Sequence, residues 1–321
     1  MRILLTTTSY QDTPGRHHEL LEQSGHEIVR DRGPLPQSRM LELVGAGGGF
    51  DGLLHGDDEI TRPVIEAALP RLKALSKYGI GLDSVDVQAA TDLKVPVLFT
   101  PGVNHTTVAE HTFGLMMMLA KHLQVEANHV KDGRWKRITG TEMAGKTLGI
   151  LGLGRIGKEV AKRGKAFEMQ IIAYDVYWDE PFAQQHGIFR AEAAEDVLRR
   201  ADVVTLHMNL TDENRRFINK QRIAMMKDTA MVINCSRGGL VDEVDVADAC
   251  RAGKLAGYGA DVLEHEPIKA PHPFQEIDNI VITPHIASRT YESVERQAVM
   301  STENLLRLLA GEKPLAQANE F

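Results

Sequence analysis

The sequence has 321 residues, of which 43% are hydrophobic and 25% charged, as in an ordinary globular protein with room for two separate cores. Its formal net charge of −7 disfavours nucleic acid as a partner, and no apolar run reaches the roughly 18 residues of a membrane span. The residues that follow Met1 predict a strand and not a signal peptide. Cys235 and Cys250 form no CxxC pair, so neither a disulfide framework nor a thiolate metal site is indicated. We therefore expect a cytoplasmic protein with no membrane partner.

Short β-branched or apolar runs alternate with stretches of helical length along the first hundred residues. The predicted strands are Ile3–Thr7, Glu27–Arg30, Gly52–His55, Lys73–Ser76 and Val95–Phe99. This spacing is typical of βαβ units and a parallel sheet. A long helix over about Thr106–His122 follows. Its methionine-rich stripe predicts packing in a core or a subunit interface, since methionine fills irregular apolar gaps.

The alternation then restarts and predicts a second parallel sheet. Six strands are expected, near Leu148–Leu151, Gln170–Tyr174, Val203–His207, Met231–Asn234, Gly257–Val262 and Ile280–Thr283. Six strands with intervening helices make a complete doubly wound domain. The residues from Ser288 onward predict one long helix that packs back on the first domain.

A glycine fingerprint lies at the start of this second alternation. The strand Thr147-Leu-Gly-Ile-Leu runs into Gly152-Leu-Gly154-Arg-Ile-Gly157 and then into a helix, which is the order that dinucleotide binding requires. Asp175 ends the next strand, 18 residues after Gly157, where a carboxylate suits the ribose of NAD and repels the phosphate of NADP. The sequence therefore predicts NAD, although a capping or surface role for Asp175 stays open. Gly45–Gly49 follow a helical pattern and predict only a helix end.

Three polar residues that follow predicted strands carry the candidate chemistry. Arg237 can grip a carboxylate, His285 can exchange a proton, and Glu266 can hold the imidazole protonated and in place. A 2-oxo acid reductase needs these groups, because negative charge builds on the keto oxygen as hydride arrives. Singly, each could be an ion pair or a plain hydrogen-bonding residue. The adjacent His17-His18 and the pair His105 and His111 lack the spacing of a zinc site, so no metal is expected.

Six motifs in this order resemble the D-isomer-specific 2-hydroxyacid dehydrogenase family over essentially the whole chain. They are Tyr78-Gly-Ile-Gly-Leu-Asp-Ser-Val-Asp86, Asn104-His-Thr-Thr-Val-Ala-Glu-His111, Gly152–Gly157, Asn234-Cys-Ser-Arg-Gly-Gly-Leu-Val-Asp-Glu243, Asp261-Val-Leu-Glu-His-Glu-Pro267 and Thr283-Pro-His-Ile-Ala-Ser288. The resemblance implies an α/β fold of two doubly wound parallel-sheet domains, with a Rossmann cofactor domain inserted in a flavodoxin-like substrate domain. The implied substrate domain is residues 1–101 and 287–321, and the NAD-binding domain is residues 102–286.

The resemblance also implies the roles of individual residues. Arg237, Glu266 and His285 would be catalytic, with Glu266 and not Glu264 as the carboxylate. The implied cofactor contacts are Gly152, Gly154, Arg155, Ile156, Gly157, Asp175, His207, Cys235, Ser236, Arg237, Asp261, His285 and Ser288. Backbone amides around Tyr78, Gly79, Ile80 and Gly81, in a turn entering a helix, would hold the substrate carboxylate, together with Asn104, Arg237 and His285. Family members are typically homodimers joined near the methionine-rich helix.

The expected activity is interconversion of a small D-2-hydroxy acid and its 2-oxo acid, of phosphoglycerate or glyoxylate/hydroxypyruvate type. Glu266 stands where formate dehydrogenases carry glutamine, which disfavours formate. Lys77 is a candidate cation for a phosphorylated substrate, but its direction is open at this point. The end at Phe321 predicts no feedback through an appended regulatory domain. One alternative is an NAD(H)-sensing, corepressor-like interaction protein with little turnover, and another is a nucleoside-binding methyltransferase.

Overall fold

The computed structural model describes residues 1–321, which divide into two compact units. The first unit is Met1–Asn104 with Arg289–Phe321, and the second is His105–Ser288. The strands are β1 (Arg2–Leu5), β2 (Glu27–Arg30), β3 (Gly52–His55), β4 (Ala74–Lys77), β5 (Val97–Leu98), β6 (Thr147–Leu151), β7 (Gln170–Tyr174), β8 (Ile188–Arg190), β9 (Val203–Leu206), β10 (Met231–Asn234), β11 (Gly257–Ala260) and β12 (Ile280–Ile282). The α-helices are α1 (Thr8–Asp12), α2 (Arg16–Gln23), α3 (Gln37–Gly45), α4 (Arg62–Ala68), α5 (Val87–Asp92), α6 (His105–Ala120), α7 (Leu123–Lys131), α8 (Arg155–Ala166), α9 (Glu180–His186), α10 (Ala194–Arg200), α11 (Lys220–Met225), α12 (Glu243–Arg251) and α13 (Tyr291–Leu309).

The first unit is a five-stranded parallel sheet in the order β2-β1-β3-β4-β5. Successive side chains of β1 enter different cores, with Leu4 on one face and Ile3 and Leu5 on the other. Helices therefore cover both faces, as a fully buried parallel sheet requires. The long helix α13 returns to this unit and buries Leu305 beside Ile3 and Leu5.

The second unit is a seven-stranded parallel sheet in the order β12-β11-β10-β9-β6-β7-β8. The order reverses between β6 and β9, and this is where ligands bind in doubly wound sheets. Helix α6 lies on one face and buries Phe113, Leu115, Met116 and Leu119 in the core of this unit. The methionine-rich stripe is thus partly core.

The predicted fold class is confirmed: both sheets are parallel and doubly wound, and the second is inserted in the chain of the first. The prediction of six strands in the second sheet was wrong, because it missed β8. Only Ile188 of β8 is buried, so this short edge strand carries no apolar run. Helix α13 is also shorter than predicted, since Gly311 has a φ of 79° and Pro314 follows. None of the thirteen α-helices combines the length and the apolar character that a membrane crossing needs.

Candidate functional site

The glycine fingerprint forms a tight turn between β6 and α8. Gly152 has a φ of 97°, and a Cβ there would stand 2.6 Å from the backbone of His207. A Cβ on Gly157 would stand 2.1 Å from the carbonyl oxygen of Gly152. Both positions therefore need glycine, one for its conformation and one for the close approach of helix and strand.

The middle glycine is different, because a Cβ on Gly154 would meet nothing within 4 Å. Its backbone φ of −73° is open to any residue, so glycine here keeps space free in front of the turn. Arg155 begins α8 just behind it, and Ile156 packs on the core of the unit. An open, glycine-lined surface at the start of a twelve-residue helix suits a pyrophosphate.

Asp175 directly follows β7 and lies beside the glycine turn. Its two carboxylate oxygens accept hydrogen bonds from the backbone amides of Leu153, at 2.5 Å, and Tyr177, at 2.7 Å. The side chain is thus fixed against the glycine turn, and each oxygen keeps a lone pair for a hydroxyl donor. The residues of this turn fit the adenosine side of a dinucleotide.

His207 follows β9, directly across from Gly152. Both of its ring nitrogens are buried and have no hydrogen-bond partner. Burial lowers the pKa of this imidazole to about 3, so the ring is neutral at neutral pH. Two unsatisfied polar atoms at the reversal point of the sheet are a second sign that this crevice is built to receive a ligand.

The three candidate catalytic residues follow three neighbouring strands, β10, β11 and β12. Nδ1 of His285 lies 2.7 Å from Oε2 of Glu266, and the other carboxylate oxygen of Glu266 accepts from the amide of Leu263 at 2.9 Å. Because Nδ1 bonds the carboxylate, the other ring nitrogen, Nε2, is the candidate for proton transfer. His285 has a left-handed φ of 52°, a strained conformation for a side-chain-bearing residue that is common at functional sites.

Arg237 lies in a turn that the buried amide of Asn234 holds. Nδ2 of Asn234 donates to the carbonyl of Arg237 at 2.9 Å, and its Oδ1 accepts from the amide of Ser236 at 3.0 Å. Asn234 had no predicted role. A polar residue at the end of a fully buried strand was the signal that could have found it.

The two carboxylates near Pro267 have different partners. Glu264 lies 3.5 Å from the guanidinium groups of Arg215 and Arg216, whereas Glu266 contacts His285. A Cβ on Gly238 would stand 1.9 Å from the backbone of Leu263, so the turn after β10 touches the loop that carries both acids. Glu264 is an ion-pair residue, and Glu266 is the acid that reaches the imidazole.

Asp261 and Cys235 are both buried at this edge of the second unit. Asp261 is 1% exposed and accepts from the amides of Ile286, at 2.9 Å, and Ala287, at 2.7 Å. Burial raises the pKa of the Cys235 thiol to about 12, so it is neither a nucleophile nor an acid at neutral pH. Ser288 ends the same loop and the unit itself.

The proposed substrate residues Tyr78–Gly81 and Asn104 belong to the first unit. The amide of Tyr78 donates to the carbonyl of His55 and that of Gly79 to Oγ1 of Thr100, whereas the amides of Ile80 and Gly81 find no acceptor in the chain. The prediction that this turn enters a helix was wrong, because α5 begins only at Val87, with Asp86 as its N-cap. A carboxylate cradle here would rest on two amides and not on a helix terminus.

Lys77 points inward, with its side chain 3% exposed. Its ammonium group lies 2.5 Å from Oδ1 of Asp57 and donates to the carbonyl of Gly56 at 2.6 Å. His55 beside it is fully buried, and burial, followed by the charge of Lys77, lowers the pKa of its imidazole to about 3. The positive charge of Lys77 is thus neutralised within its own unit.

Comparison with known proteins agrees with this geometry. Residues 113–287 match the model of the D-isomer specific 2-hydroxyacid dehydrogenase NAD binding domain. The chain is 36% identical over 314 residues to a D-3-phosphoglycerate dehydrogenase of Methanocaldococcus jannaschii, covering 97% of this chain and only 58% of the relative. It is 38% identical over 271 residues to a glyoxylate reductase of Thermofilum pendens, covering 82% and 79% of the two chains.

A solved structure has the same fold over almost the full chain. The TT0316 protein from Thermus thermophilus superposes with a TM-score of 0.90 at 35% identity, covering 99% of this chain and 100% of that one. One conclusion follows from the glycine turn, from the contact between Glu266 and His285, and from these similarities. The chain is an NAD-binding oxidoreductase that belongs to the D-isomer specific 2-hydroxyacid dehydrogenase family.

Proposed function

We propose that the protein interconverts a small D-2-hydroxy acid and its 2-oxo acid, of phosphoglycerate or glyoxylate/hydroxypyruvate type. The observation that carries the proposal is the 2.7 Å contact between His285 Nδ1 and Glu266 Oε2, at the edge of the sheet that also bears Arg237. When bound at the glycine turn, the cofactor would supply hydride to C2 of the 2-oxo acid as NADH, or take it from the 2-hydroxy acid as NAD⁺. The chain itself provides the proton and the charge that this transfer needs.

In the reducing direction, His285 gives its Nε2 proton to the substrate oxygen that becomes the hydroxyl. Glu266 stabilises the imidazolium before transfer and keeps Nε2 directed away from itself. The guanidinium of Arg237 binds the substrate carboxylate and offsets the charge growing on the oxygen. In the oxidising direction, neutral His285 takes the hydroxyl proton, so one residue serves both directions.

The charge around Lys77 favours an acid without a phosphate group. A phosphorylated substrate needs a cation that is free to bind it, and Lys77 already faces Asp57 at 2.5 Å. We infer that glyoxylate or hydroxypyruvate is used better than 3-phosphohydroxypyruvate. Relatives of both types match the chain, among them the D-3-phosphoglycerate dehydrogenase of Methanocaldococcus jannaschii and the glyoxylate reductase of Thermofilum pendens, so the preference rests on Lys77 alone.

We also infer a homodimer formed through the region after α6. Three large apolar side chains are exposed there, namely Leu123 at 49%, Val130 at 55% and Trp135 at 78%. Residues 134–142 contain no helix or strand, and most of them are exposed. Apolar groups gathered on one segment mark an interaction surface. Light scattering of the purified protein should give about twice the 35.5 kDa of one chain, and a monomer would refute this inference.

Turnover measurements test the activity directly. Consumption of NADH and NADPH is followed with glyoxylate, hydroxypyruvate, pyruvate and 3-phosphohydroxypyruvate, using wild type, His285→Ala, Glu266→Gln and Glu264→Gln. We expect His285→Ala to lose about 100-fold or more in kcat, and Glu266→Gln to lose about 10-fold. Glu264→Gln is the matched control and should stay within about 3-fold, since Glu264 pairs with arginines and not with His285.

Either of two results would overturn the proposal. Binding of NADH without turnover of any 2-oxo acid would favour the sensing protein. Equal losses in Glu264→Gln and Glu266→Gln would mean that the contact with His285 has no special role.

A further inference from the structure

His111 contacts the loop that carries His285 and has no place in the proposed chemistry. It lies on α6 with its side chain 22% exposed. Its Nε2 is 2.8 Å from Oγ1 of Thr283 and 3.5 Å from Oδ1 of Asp261. Thr283 and Asp261 follow β12 and β11, so a helix on one face of the sheet is connected to the ends of two strands.

The direction of these hydrogen bonds follows from counting protons. Oγ1 of Thr283 lies 2.6 Å from Oδ1 of Asp261, and a carboxylate that also accepts two backbone amides accepts here as well. A hydroxyl has a single proton, so Thr283 donates to Asp261 and must accept from His111. His111 therefore carries a proton on Nε2, and the chain runs from imidazole to hydroxyl to carboxylate.

Asp261 in turn fixes the segment around His285. Its carboxylate accepts from the amides of Ile286 and Ala287, and its carbonyl accepts from the amide of His285 at 2.9 Å. These three bonds surround the one residue in the segment with a left-handed φ. A strained conformation persists only where its surroundings impose it.

We infer that His111 is a positioning residue for His285, acting through Thr283 and Asp261. The imidazole holds the Thr283 hydroxyl on the carboxylate, and the oriented carboxylate holds residues 285–287 in the conformation that presents His285. The inference rests on the proposed function for its effect on rate. Its effect on the loop is independent of that function.

Hydrogen exchange of the protein without cofactor is the first test. The variants are His111→Leu, which removes the donor, and His111→Gln, whose amide nitrogen keeps a donor at a similar reach. We expect the amides of Ile286 and Ala287 to exchange about 10-fold faster in His111→Leu and nearly as in wild type in His111→Gln. Thr283→Val should behave like His111→Leu. Exchange in strand β6 and the melting temperature report whether each variant is folded.

Kinetics supply the second test. In His111→Leu, kcat should fall about 10- to 100-fold, while Kd for NADH changes by less than about 3-fold, and His111→Gln should restore most of kcat. Glu110→Gln, next to His111 on α6 and paired with Arg163, is the control that should leave kcat unchanged.

The possible outcomes separate the two proposals. Unchanged exchange at Ile286 and Ala287 in folded His111→Leu would overturn the inference whatever the activity. Faster exchange in a protein whose wild type turns over no 2-oxo acid would uphold the positioning role and overturn the proposed function. Loss of kcat in His111→Gln equal to that in His111→Leu would mean that the donor is not what matters, and it too would overturn the inference.

Discussion

A methyl group added to two different glycines of the dinucleotide turn should have two different effects. In Gly157→Ala, the new Cβ would stand 2.1 Å from the carbonyl oxygen of Gly152, about 1 Å inside the 3.0 Å limit of real Cβ contacts. Because the obstacle is backbone, strand and helix must separate. Overpacking of this kind costs about 1–3 kcal/mol, which lowers the melting temperature of a domain of this size by about 2–12 °C.

Gly154→Ala should leave the fold almost intact and weaken cofactor binding. The Cβ meets nothing within 4 Å and φ is −73°, so the only cost to the fold is a poorer helix N-cap, at most about 1 kcal/mol. The methyl group does occupy the surface that we assign to the pyrophosphate. We expect Kd for NADH to rise about 10-fold, or about 1.4 kcal/mol.

Thermal melts with and without NADH separate these effects. At a concentration of 100 times Kd, NADH should stabilise the wild type by about 2.7 kcal/mol, and at the same concentration Gly154→Ala should gain only about half of this. A Gly154→Ala variant with wild-type NADH affinity would refute the assignment of the pyrophosphate to this turn. A Gly157→Ala variant that melts like wild type would refute the close contact of helix and strand.

Asp175→Ala should raise the kcat/KM ratio of NADPH to NADH by about 10-fold, since the carboxylate no longer repels the 2′-phosphate; an unchanged ratio would contradict this. Burial lowers the pKa of His55 to about 3, whereas the pKa in the unfolded chain is 6.5. Between these two values the unfolded state binds more protons than the folded state, so the protein loses stability as the pH falls from 6.5. The unfolding free energy measured with urea should therefore decline below pH 6.5, by up to about 1.4 kcal/mol per pH unit for this group. The decline should be less steep in His55→Gln. Equal pH dependence in wild type and His55→Gln would contradict the role of His55. Burial raises the pKa of the Cys235 and Cys250 thiols to about 12. Iodoacetamide at pH 8 should therefore label both cysteines only after the protein is unfolded. Labelling of either cysteine in the native protein would contradict this prediction.

The geometry of the glycine turn and of Asp175 was predictable from the sequence because its constraints are local. Gly152, Gly154 and Gly157 lie within one turn, and Asp175 ends the next strand, so spacing along the chain reports their geometry. The fold class was predictable for a related reason, since buried parallel strands are continuous apolar runs. The edge strand β8 has only one buried side chain and left no such pattern.

The supporting contacts were not predictable, because they join residues far apart in the sequence. The spacing of residues along the sequence does not show that Lys77 points inward to Asp57, or that Glu264 lies near two arginines. The spacing of His105 and His111 bears only on metal binding. The bond from His111 to Thr283 spans 172 positions and depends on how α6 lies on the sheet. Side-chain direction is set by this packing and not by the local pattern.

The edge of the second sheet explains why buried polar residues accompany the candidate catalytic groups. His285 and Glu266 have side chains 45% and 36% exposed, so apolar packing cannot hold them in one geometry. The backbone around His285 is held instead by Asp261, which the structure buries almost completely. A buried carboxylate is tolerable only when its oxygens are satisfied, and here a hydroxyl and two amides satisfy them. Loss of any one of these donors should therefore reach His285 before it reaches the core, which makes the rate a more sensitive readout of this cluster than stability.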